Sequence, residues 1–314
     1  MIVTLTVNPS LDRTITLERA LQPGEVQSAL SSREDAAGKG INVARSIAAA
    51  GAATRAVLPL AIDDPYRAIL RASALPVCEV PIVGHSRANI TIADPAGITT
   101  KLNLPGPALS PSDARAIIAA VVEASAGASW LVLAGSLPPG VGDDFYVVVI
   151  NAVRAAHGES SPLIAVDTSG VALRTVVEHG TPDLIKPNDE ELAELVGIEL
   201  ADDGPIDAVI AVARQLVPAR AASALVTLGS RGAVLVTGES ALVGEAPRIR
   251  VASTVGAGDS SLAGYVLAHA QGLAPDDCVR SAIRYGAAAA SLPGTQAPTP
   301  ADLPAGDVFV TTHS

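Results

Sequence analysis

One segment near the end of the chain combines glycines, a carboxylate and the start of an apolar helix. It reads Ser253-Thr-Val-Gly-Ala-Gly-Asp-Ser-Ser-Leu-Ala-Gly264. Gly256 and Gly258 let the backbone approach an anion closely, and their N–H groups, with that of Ala257, would present the positive end of the helix dipole. Beside such an anion hole, the carboxylate of Asp259 is suited to accept the proton of an attacking hydroxyl group. The segment therefore predicts a phosphoryl-transfer site, unless Asp259 only caps its helix.

A second glycine-rich segment, Ala36-Ala-Gly38-Lys39-Gly40-Ile-Asn42, precedes an amphipathic helix. Its small residues leave space for a ligand, and the amide of Asn42 suits the hydroxyl groups of a sugar. The alternative is a helix start that contains glycines for structural reasons alone. Asp12 follows the first predicted strand, where it is either an acceptor for sugar hydroxyl groups or an ordinary turn residue.

Three further side chains suit a phosphate group on that sugar. Arg87 and Lys101 lie on the two arms of a predicted hairpin and would supply cations. Ser136 follows a predicted strand in Ala134-Gly-Ser-Leu-Pro-Pro-Gly140, where its hydroxyl group could meet the same phosphate. The alternatives are surface charge for the two cations and a turn for Ser136.

Two segments suit a nucleotide. In Lys186-Pro-Asn188-Asp-Glu-Glu191 a strand runs into a helix whose first turn is rich in carboxylates, which fits Mg2+ bound through water beside nucleotide phosphates. Complementarity to the helix dipole explains these acids equally well. Thr227-Leu-Gly229-Ser-Arg-Gly232 ends another strand with a turn that could hold phosphate or ribose. The chain contains no Gly-x-x-x-x-Gly-Lys-Ser/Thr motif, which excludes a P-loop.

The elements that position these residues alternate between strand and helix. Strand-like segments 129–134 and 163–167 precede Ala-rich helical segments 143–156 and 171–178, and another strand follows at 222–228. This alternation predicts an α/β fold with a mostly parallel sheet, helices on both faces and ligands at the carboxyl ends of the strands. Since 49% of the residues are hydrophobic but only 2% are aromatic, the core must be aliphatic.

Two stretches interrupt this alternation. Segments 13–17 and 26–33 flank the Pro23-Gly24 turn, and segments 87–93 and 98–102 form a hairpin-like pair. We expect a small β-sheet lid drawn from about 13–34 and 86–103, within one domain that spans residues 1–314. The last 20 residues are rich in Pro and Thr and are expected to be loosely structured.

The net charge, the length of the apolar runs and the positions of the cysteines argue against several classes of protein. A net charge of −11 without a basic block argues against nucleic acid and anionic membranes as partners. No apolar run reaches the roughly 18 to 20 residues of a membrane span, and the N-terminus lacks the features of a signal peptide, so we expect a cytoplasmic protein. Cys78 and Cys278 are far apart and have no His or Cys neighbours, which argues against zinc and against a disulfide framework.

In this order the motifs resemble the ribokinase-like (PfkB) carbohydrate kinase family, and specifically its phosphosugar branch of 1-phosphofructokinases, tagatose-6-phosphate kinases and minor 6-phosphofructokinases. The resemblance covers the chain from Thr4 to about Ser291. Its most specific segments are 254–259, 38–45 and 5–12. It implies a three-layer α/β sandwich with a small β-sheet lid, through which two subunits form a dimer.

The resemblance also implies a role for each motif. Asp259 corresponds to the catalytic base and the backbone of Gly256, Ala257 and Gly258 to the anion hole. The sugar phosphate would be bound by Asp12, Gly38, Lys39, Asn42, Arg87, Lys101 and Ser136. ATP would be bound by Lys186, Asn188, Thr227, Gly229 and Gly232, with Mg2+ near Asn188 and Glu191.

The expected reaction is ATP-dependent phosphorylation of fructose 1-phosphate. Tagatose 6-phosphate and fructose 6-phosphate remain alternative substrates, as do an unphosphorylated sugar or nucleoside. A sugar-binding regulator without turnover is a further alternative. Two departures from the family pattern bear on the substrate: Ala37 precedes Gly38 where a second glycine is usual, and Leu104 stands where fructose-1-phosphate kinases commonly have an acidic residue.

Overall fold

The computed structural model describes residues 1–200 and 204–313. The strands are β1 (Ile2–Leu5), β2 (Ser10–Leu17), β3 (Ala29–Ala37), β4 (Thr54–Leu60), β5 (Val77–Pro81), β6 (Arg87–Ala93), β7 (Thr99–Asn103), β8 (Trp130–Ala134), β9 (Leu163–Asp167), β10 (Leu184–Ile185), β11 (Ser223–Thr227), β12 (Ala233–Thr237), β13 (Ala241–Gly244) and β14 (Val310–His313). The helices are α1 (Lys39–Ala49), α2 (Tyr66–Ala72), α3 (Pro111–Ala124), α4 (Phe145–His157), α5 (Gly170–His179), α6 (Asp189–Val196), α7 (Ile206–Ala213), α8 (Ala257–Ala270) and α9 (Pro275–Ser291).

The larger sheet has ten strands within the described residues, in the order β14-β13-β12-β11-β10-β9-β8-β1-β4-β5. The strands from β5 to β11 in this order are parallel, and β12, β13 and β14 extend the sheet with antiparallel pairs. The connections reverse direction at β1, since β4 lies on one side of it and β8 on the other. In open α/β sheets, ligands bind outside the carboxyl ends of the strands at such a reversal.

Helices cover both faces of this sheet because its parallel strands are apolar along their whole length. On one face, Ile47 of α1 and Val266 of α8 belong to the same buried cluster as Val132 of β8. On the other face, Ile117 of α3 clusters with Leu131, the strand neighbour of Val132. This arrangement confirms the predicted three-layer α/β sandwich with an aliphatic core.

The second, four-stranded sheet is built from the segments that interrupt the alternation. Its order is β3-β2-β6-β7, with β2 and β6 parallel and the other two pairs antiparallel. The strands extend beyond the predicted 13–34 segment, since β2 begins at Ser10 and β3 ends at Ala37. Asp12 pairs with Asn89, and Thr91 on the same face of β6 pairs with Lys101. One face of this small sheet is therefore polar.

The end of the chain is more ordered than its composition predicts. The prediction of loose structure over the last 20 residues is wrong for Val310–His313, which pairs with β13 as an edge strand of the larger sheet. A short strand at a sheet edge is half exposed, so its sequence carries little hydrophobic alternation. Ser314 lies outside the described residues. In the part of the chain that the structure describes, every helix is too short or too polar to cross a membrane.

Candidate active site

The predicted site residues lie on the small sheet or at the carboxyl edge of the larger sheet, where the loops after β1, β8, β9, β10 and β11 open. Helices α1 and α8 also begin there. Gly38, which precedes α1, has φ 131° and packs so closely on the end of β1 that a Cβ atom would lie 2.6 Å from Cγ2 of Thr6. Farther along, the hydroxyl oxygens of Ser46 and Ser260 are 3.1 Å apart and join α1 to α8. The two helix starts are thus held side by side.

Asp259 is the third residue of α8 and is only 7% exposed. The residue before the helix is Gly256, whose φ of 78° is left-handed and which has no side chain to cap the helix. The carboxylate of Asp259 accepts a hydrogen bond of 2.8 Å from the side-chain amide of Asn42. Since this bond comes from another helix, the alternative that Asp259 only caps α8 loses support.

The surroundings of Asp259 make it a stronger base than an ordinary carboxylate. Burial, and after it the negative charge of Asp167, raise the pKa of Asp259 to about 6 against the opposing effects of Lys39, Asn42 and Lys186. A general base works best when its pKa is near the operating pH. Asp259 is therefore ionised near neutral pH while it keeps a useful affinity for a proton.

Asp167 ends β9 and is fully buried between two lysines. Nζ of Lys39 lies 2.8 Å from its Oδ1 and Nζ of Lys186 lies 3.3 Å from its Oδ2. Burial alone would raise the pKa of Asp167, but the two ammonium groups outweigh burial and lower it. This residue is not among those predicted from the sequence, although a carboxylate that ends an otherwise apolar strand at the ligand-binding edge was a usable signal.

The start of α8 is rich in positive charge. A Cβ atom on Gly258 would lie 3.3 Å from Nζ of Lys186, so the glycine leaves space for this ammonium group. Burial alone would lower the pKa of Lys39, but the charges of Asp167 and Asp259 raise it, so Lys39 remains a cation. The predicted anion hole consists of the backbone N–H groups of Gly256, Ala257 and Gly258. Of these, the N–H group of Ala257 donates a long hydrogen bond of 3.4 Å to the carbonyl oxygen of Thr254.

The polar face of the small sheet carries a second group of site residues. Asp12 accepts hydrogen bonds from Ser10 (2.8 Å) and from the amide of Asn89 (2.9 Å). Arg87 donates to Oδ1 of Asn89 at 3.1 Å. Burial raises the pKa of Asp12 despite these hydrogen bonds. Asn89 was not predicted, although its spacing of two residues from Arg87 places both side chains on one face of a strand.

Asn8 connects this face to the edge of the larger sheet. The guanidinium group of Arg87 donates to the carbonyl oxygen of Asn8 at 3.4 Å, and the side-chain amide of Asn8 donates to the hydroxyl oxygen of Ser136 at 3.2 Å. Asp12, Arg87 and Ser136 are thus joined in one network. Lys101 is exposed on β7, on the same face as Asp12. Among the described residues, it forms no hydrogen bond or ion pair with the other predicted site residues.

The two predicted nucleotide segments lie next to each other. Asn188 and Thr227 form an isolated parallel bridge. The turn Gly229–Arg231 follows β11, and Gly229 and Gly232 take the positive φ values of 56° and 109° that favour glycine. The bridge thus brings the two predicted nucleotide segments together.

Asn188 and Glu191 form a reciprocal cap at the start of α6. Oδ1 of Asn188 accepts a bond of 2.7 Å from the N–H group of Glu191, and Oε2 of Glu191 accepts one of 3.0 Å from the N–H group of Asn188. Throughout residues 1–200 and 204–313, no group of three or more His, Cys, Asp and Glu side chains could form a metal cage. The cap uses one oxygen of Glu191, so this pair fits Mg2+ bound through water and phosphate better than direct coordination.

Unpaired polar atoms also mark this edge of the sheet. Buried side-chain oxygens without a hydrogen-bond partner among the described residues include those of Thr6, Asn8, Asn42 and Thr168. Each such group costs free energy unless a ligand or water satisfies it. Their presence along this edge is what a site for a hydroxyl-rich ligand requires.

Comparison with known proteins agrees with this geometry. The pfkB family carbohydrate kinase profile matches residues 6–302. The chain is 33% identical to the 1-phosphofructokinase of Rhodobacter capsulatus, over 97% of this chain and 95% of that protein. The crystal structure of phosphofructokinase-2 from Escherichia coli in complex with fructose-6-phosphate is 31% identical, with a TM-score of 0.84 over 92% of this chain and 93% of that one.

A more distant structure defines the fold class. The ribokinase of Thermotoga maritima is 18% identical and has a TM-score of 0.77 over 97% of this chain and 96% of that one. This similarity confirms the predicted ribokinase-like fold, and the family match confirms the resemblance of the motifs. The chain therefore belongs to the pfkB family of carbohydrate kinases.

Proposed function

We propose that the protein transfers the γ-phosphoryl group of ATP to fructose 1-phosphate, giving fructose 1,6-bisphosphate and ADP. The observation that carries this proposal is the buried carboxylate of Asp259, which lies at the start of α8 and is oriented by Asn42. The relative named 1-phosphofructokinase, which matches almost the whole chain, favours this sugar phosphate.

The sugar would lie between the polar face of the small sheet and the start of α1. Asp12 and the unpaired Oδ1 of Asn42 can accept hydrogen bonds from its hydroxyl groups. Arg87, Ser136 and Lys101 would bind the phosphate that the sugar already carries, because a guanidinium, a hydroxyl and an ammonium group all donate to phosphate oxygens. The small sheet would thus close the site as a lid and exclude water.

The acceptor hydroxyl group would attack the γ-phosphorus in line while Asp259 takes its proton. The bond from the γ-phosphorus to the β,γ-bridging oxygen breaks, and ADP leaves. The N–H groups at the start of α8, with Lys39 and Lys186, would stabilise the charge on the transferring group. Each donor of this kind contributes about 10²- to 10³-fold in turnover.

ATP would lie along Lys186, Asn188, Thr227 and the turn bounded by Gly229 and Gly232. Mg2+, held through water near Glu191, would supply charge neutralisation on the phosphates. Asn188 and Glu191 keep the start of α6 rigid beside that position through their reciprocal hydrogen bonds.

The exposed face of the small sheet suits a second copy of the chain. Ile15, Ile90, Ile92 and Leu102 share this face, opposite Asp12, and Leu102 is 52% exposed. We infer a homodimer through this face. Leu102→Asp should produce monomers in sedimentation velocity at a concentration at which the unmodified protein is dimeric, and an unchanged sedimentation coefficient would exclude this interface.

An acceptor panel tests the proposed reaction. ADP release would be measured with fructose 1-phosphate, fructose 6-phosphate and tagatose 6-phosphate, with fructose and ribose as unphosphorylated controls. We expect the highest kcat/KM with fructose 1-phosphate. A higher value with fructose 6-phosphate would favour the alternative that the Escherichia coli structure suggests. Turnover of the unphosphorylated sugars alone would reject a sugar-phosphate kinase.

A further inference from the structure

Asp167 is a fully buried carboxylate that has no part in the transfer described above. Its backbone is fixed, because its carbonyl oxygen accepts a bond of 2.9 Å from the N–H group of Gly135 at the end of the neighbouring strand β8. Since its side chain is 0% exposed, it cannot touch a sugar or a nucleotide directly. It therefore acts on the reaction through its two lysine partners and through the effect of its charge on Asp259.

Those lysines come from opposite sides of the site. Lys39 is the first residue of α1, beside Gly38 on the acceptor side. Lys186 follows β10 in the nucleotide segment, and its Nζ approaches Gly258 at the start of α8. The two oxygens of Asp167 are divided between them, with Oδ1 facing Lys39 and Oδ2 facing Lys186. One carboxylate therefore connects the acceptor-side cation to the nucleotide-side cation.

We propose that Asp167 is a positioning residue, which holds the ammonium groups of Lys39 and Lys186 on the two sides of Asp259 and prevents either from forming a locked ion pair with it. This proposal rests on the proposed phosphoryl transfer. Without Asp167, the ammonium groups of Lys39 and Lys186 would bind the carboxylate of Asp259 directly. These ion pairs would hold the base away from the acceptor hydroxyl group. With Asp167 present, the four charges balance before the substrates bind.

The charges around Asp259 agree with this role. The charge of Asp167 raises the pKa of Asp259, whereas those of Lys39 and Lys186 lower it. From α1, the amide of Asn42 also faces the carboxylate. Helix α9 packs on α8 at other points, where Ser281 and Tyr285 meet Gly264 and where Gly286 meets Ala257 and Ser261. Removal of the Asp167 charge would therefore leave Asp259 facing two unbalanced cations.

The substitution Asp167→Asn tests the proposal, because it removes the charge and keeps the shape. We expect the KM values for the sugar phosphate and for ATP to rise, each by roughly 10- to 100-fold, the range for lost hydrogen bonds to charged groups. We also expect the acid limb of kcat/KM to move to lower pH, since that limb reports the base of the free enzyme. Unchanged KM values with an unmoved acid limb would overturn the proposal.

Asp183→Asn is the matched control. Asp183 precedes β10, at the opposite end of the strand from Lys186, where it accepts a bond of 2.8 Å from the N–H group of Ile164 and lies 3.6 Å from Arg154. It is thus also an aspartate paired with a cation, but away from the site. Its variant should keep the pH profile of the unmodified enzyme. The same shift in both variants would assign the effect to stability and overturn the proposal.

Asp167→Asn leaves the buried Lys186 without its counter-charge, so this variant could fail to fold. A second variant keeps the proposal testable in that case. Asp167→Glu keeps the charge but moves the carboxylate by one methylene group. We expect both KM values to rise by roughly tenfold or more while the acid limb stays in place. A variant with unchanged KM values would overturn the positioning role.

The acceptor is chosen so that this proposal and the proposed function fail separately. The variants are assayed with whichever sugar of the panel the unmodified enzyme turns over fastest, so a different substrate refutes fructose 1-phosphate without affecting the Asp167 measurement. If no sugar is turned over, ATP affinity is measured by calorimetry. Asp167→Asn should then weaken ATP binding by roughly tenfold or more through Lys186, and unchanged affinity would overturn the proposal.

Discussion

The side-chain amide of Asn42 donates a hydrogen bond of 2.8 Å to Oδ2 of Asp259, although the two residues are 217 positions apart. This bond joins the first turn of α1 to the first turn of α8. Each helix follows a glycine with a positive φ, Gly38 or Gly256, so neither helix start is covered by a capping side chain. The helix that would bind the sugar thus sets the direction of the carboxylate that would take its proton.

We expect Asp259→Asn to lower kcat by about 10²- to 10⁴-fold, the range for a general base. ATP affinity should stay close to that of the unmodified protein, because the amide keeps the shape of the site. Steady-state kinetics and calorimetry measure the two effects.

Asp277→Asn provides the control for this prediction. Asp277 is also the third residue of its helix, α9, and it pairs with Arg280 on the surface. This variant should leave kcat unchanged. If Asp259→Asn were equally harmless, Asp259 would be a helix-start acid like Asp277 and not the base.

The pH profile gives a second test of the base. Since the pKa of Asp259 is raised to about 6 and the base must be ionised to work, kcat/KM should fall as the pH drops below about 6. The hydrogen bond from Asn42 lowers the pKa of Asp259, so Asn42→Ala should move this limb to higher pH. Asn42→Ala and Asp167→Asn should therefore shift the limb in opposite directions.

Ser46→Ala is the control for the Asn42 variant, because Ser46 joins α1 to α8 through Ser260 without touching Asp259. Its acid limb should coincide with that of the unmodified enzyme. An acid limb near pH 4 in the unmodified enzyme would contradict the raised pKa of Asp259.

The same raised pKa predicts a cost in stability. The folded protein holds the proton of Asp259 up to about pH 6, whereas the unfolded chain releases it near pH 4. Because the folded state binds more protons in this interval, the free energy of unfolding falls as the pH rises through it and stays lower above it. Asp259→Asn should relieve this cost and stabilise the protein at pH 8 by about 1 to 3 kcal/mol.

Urea unfolding at pH 8 and at pH 4 checks this prediction. The midpoint of Asp259→Asn should exceed that of the unmodified protein at pH 8, and the difference should shrink at pH 4, where the carboxyl group is protonated in the folded state and about half protonated in the unfolded chain. A variant that is less stable at pH 8 would show that the charged carboxylate stabilises the fold.

The sequence predicted the fold well because periodicity and turn residues are local signals. The segment 163–167 was predicted as a strand with the bounds of β9, and the hairpin of β6 and β7 was predicted within one residue. The edge strand at Val310–His313 was missed, since its pairing with β13 depends on partners that lie 66 to 72 positions earlier in the chain.

The site was harder to predict because its contacts are made between distant segments. Gly256, Gly258 and Asp259 form a contiguous motif and could be identified directly. The ion pairs of Asp167 could not, since they are made with Lys39, which is 128 positions earlier, and with Lys186. Nor could the bond between Asn89 and Asp12, which requires the parallel pairing of β2 with β6.

Arg87 tests whether the substrate carries a phosphate. It lies on the same face of the small sheet as Asp12, and its guanidinium group contacts Asn89 and the carbonyl oxygen of Asn8. Arg87→Ala should raise the KM for the sugar phosphate by about 10- to 100-fold, since a hydrogen bond between charged groups is lost. The KM for ATP should not change.

Arg13→Ala is the matched control, because Arg13 is an arginine of the same sheet on the opposite face, where it pairs with Glu34. Since this is also the face proposed for the dimer, the variant is used only after sedimentation velocity has shown that its dimer is intact. Its KM for the sugar phosphate should equal that of the unmodified enzyme. A substrate without phosphate gives a further check: with fructose, the KM should be equally high for Arg87→Ala and for the unmodified enzyme, because the group that Arg87 would bind is missing. An unchanged KM for the sugar phosphate in Arg87→Ala would contradict the role of this face in phosphate binding, and with it the choice of a phosphorylated acceptor.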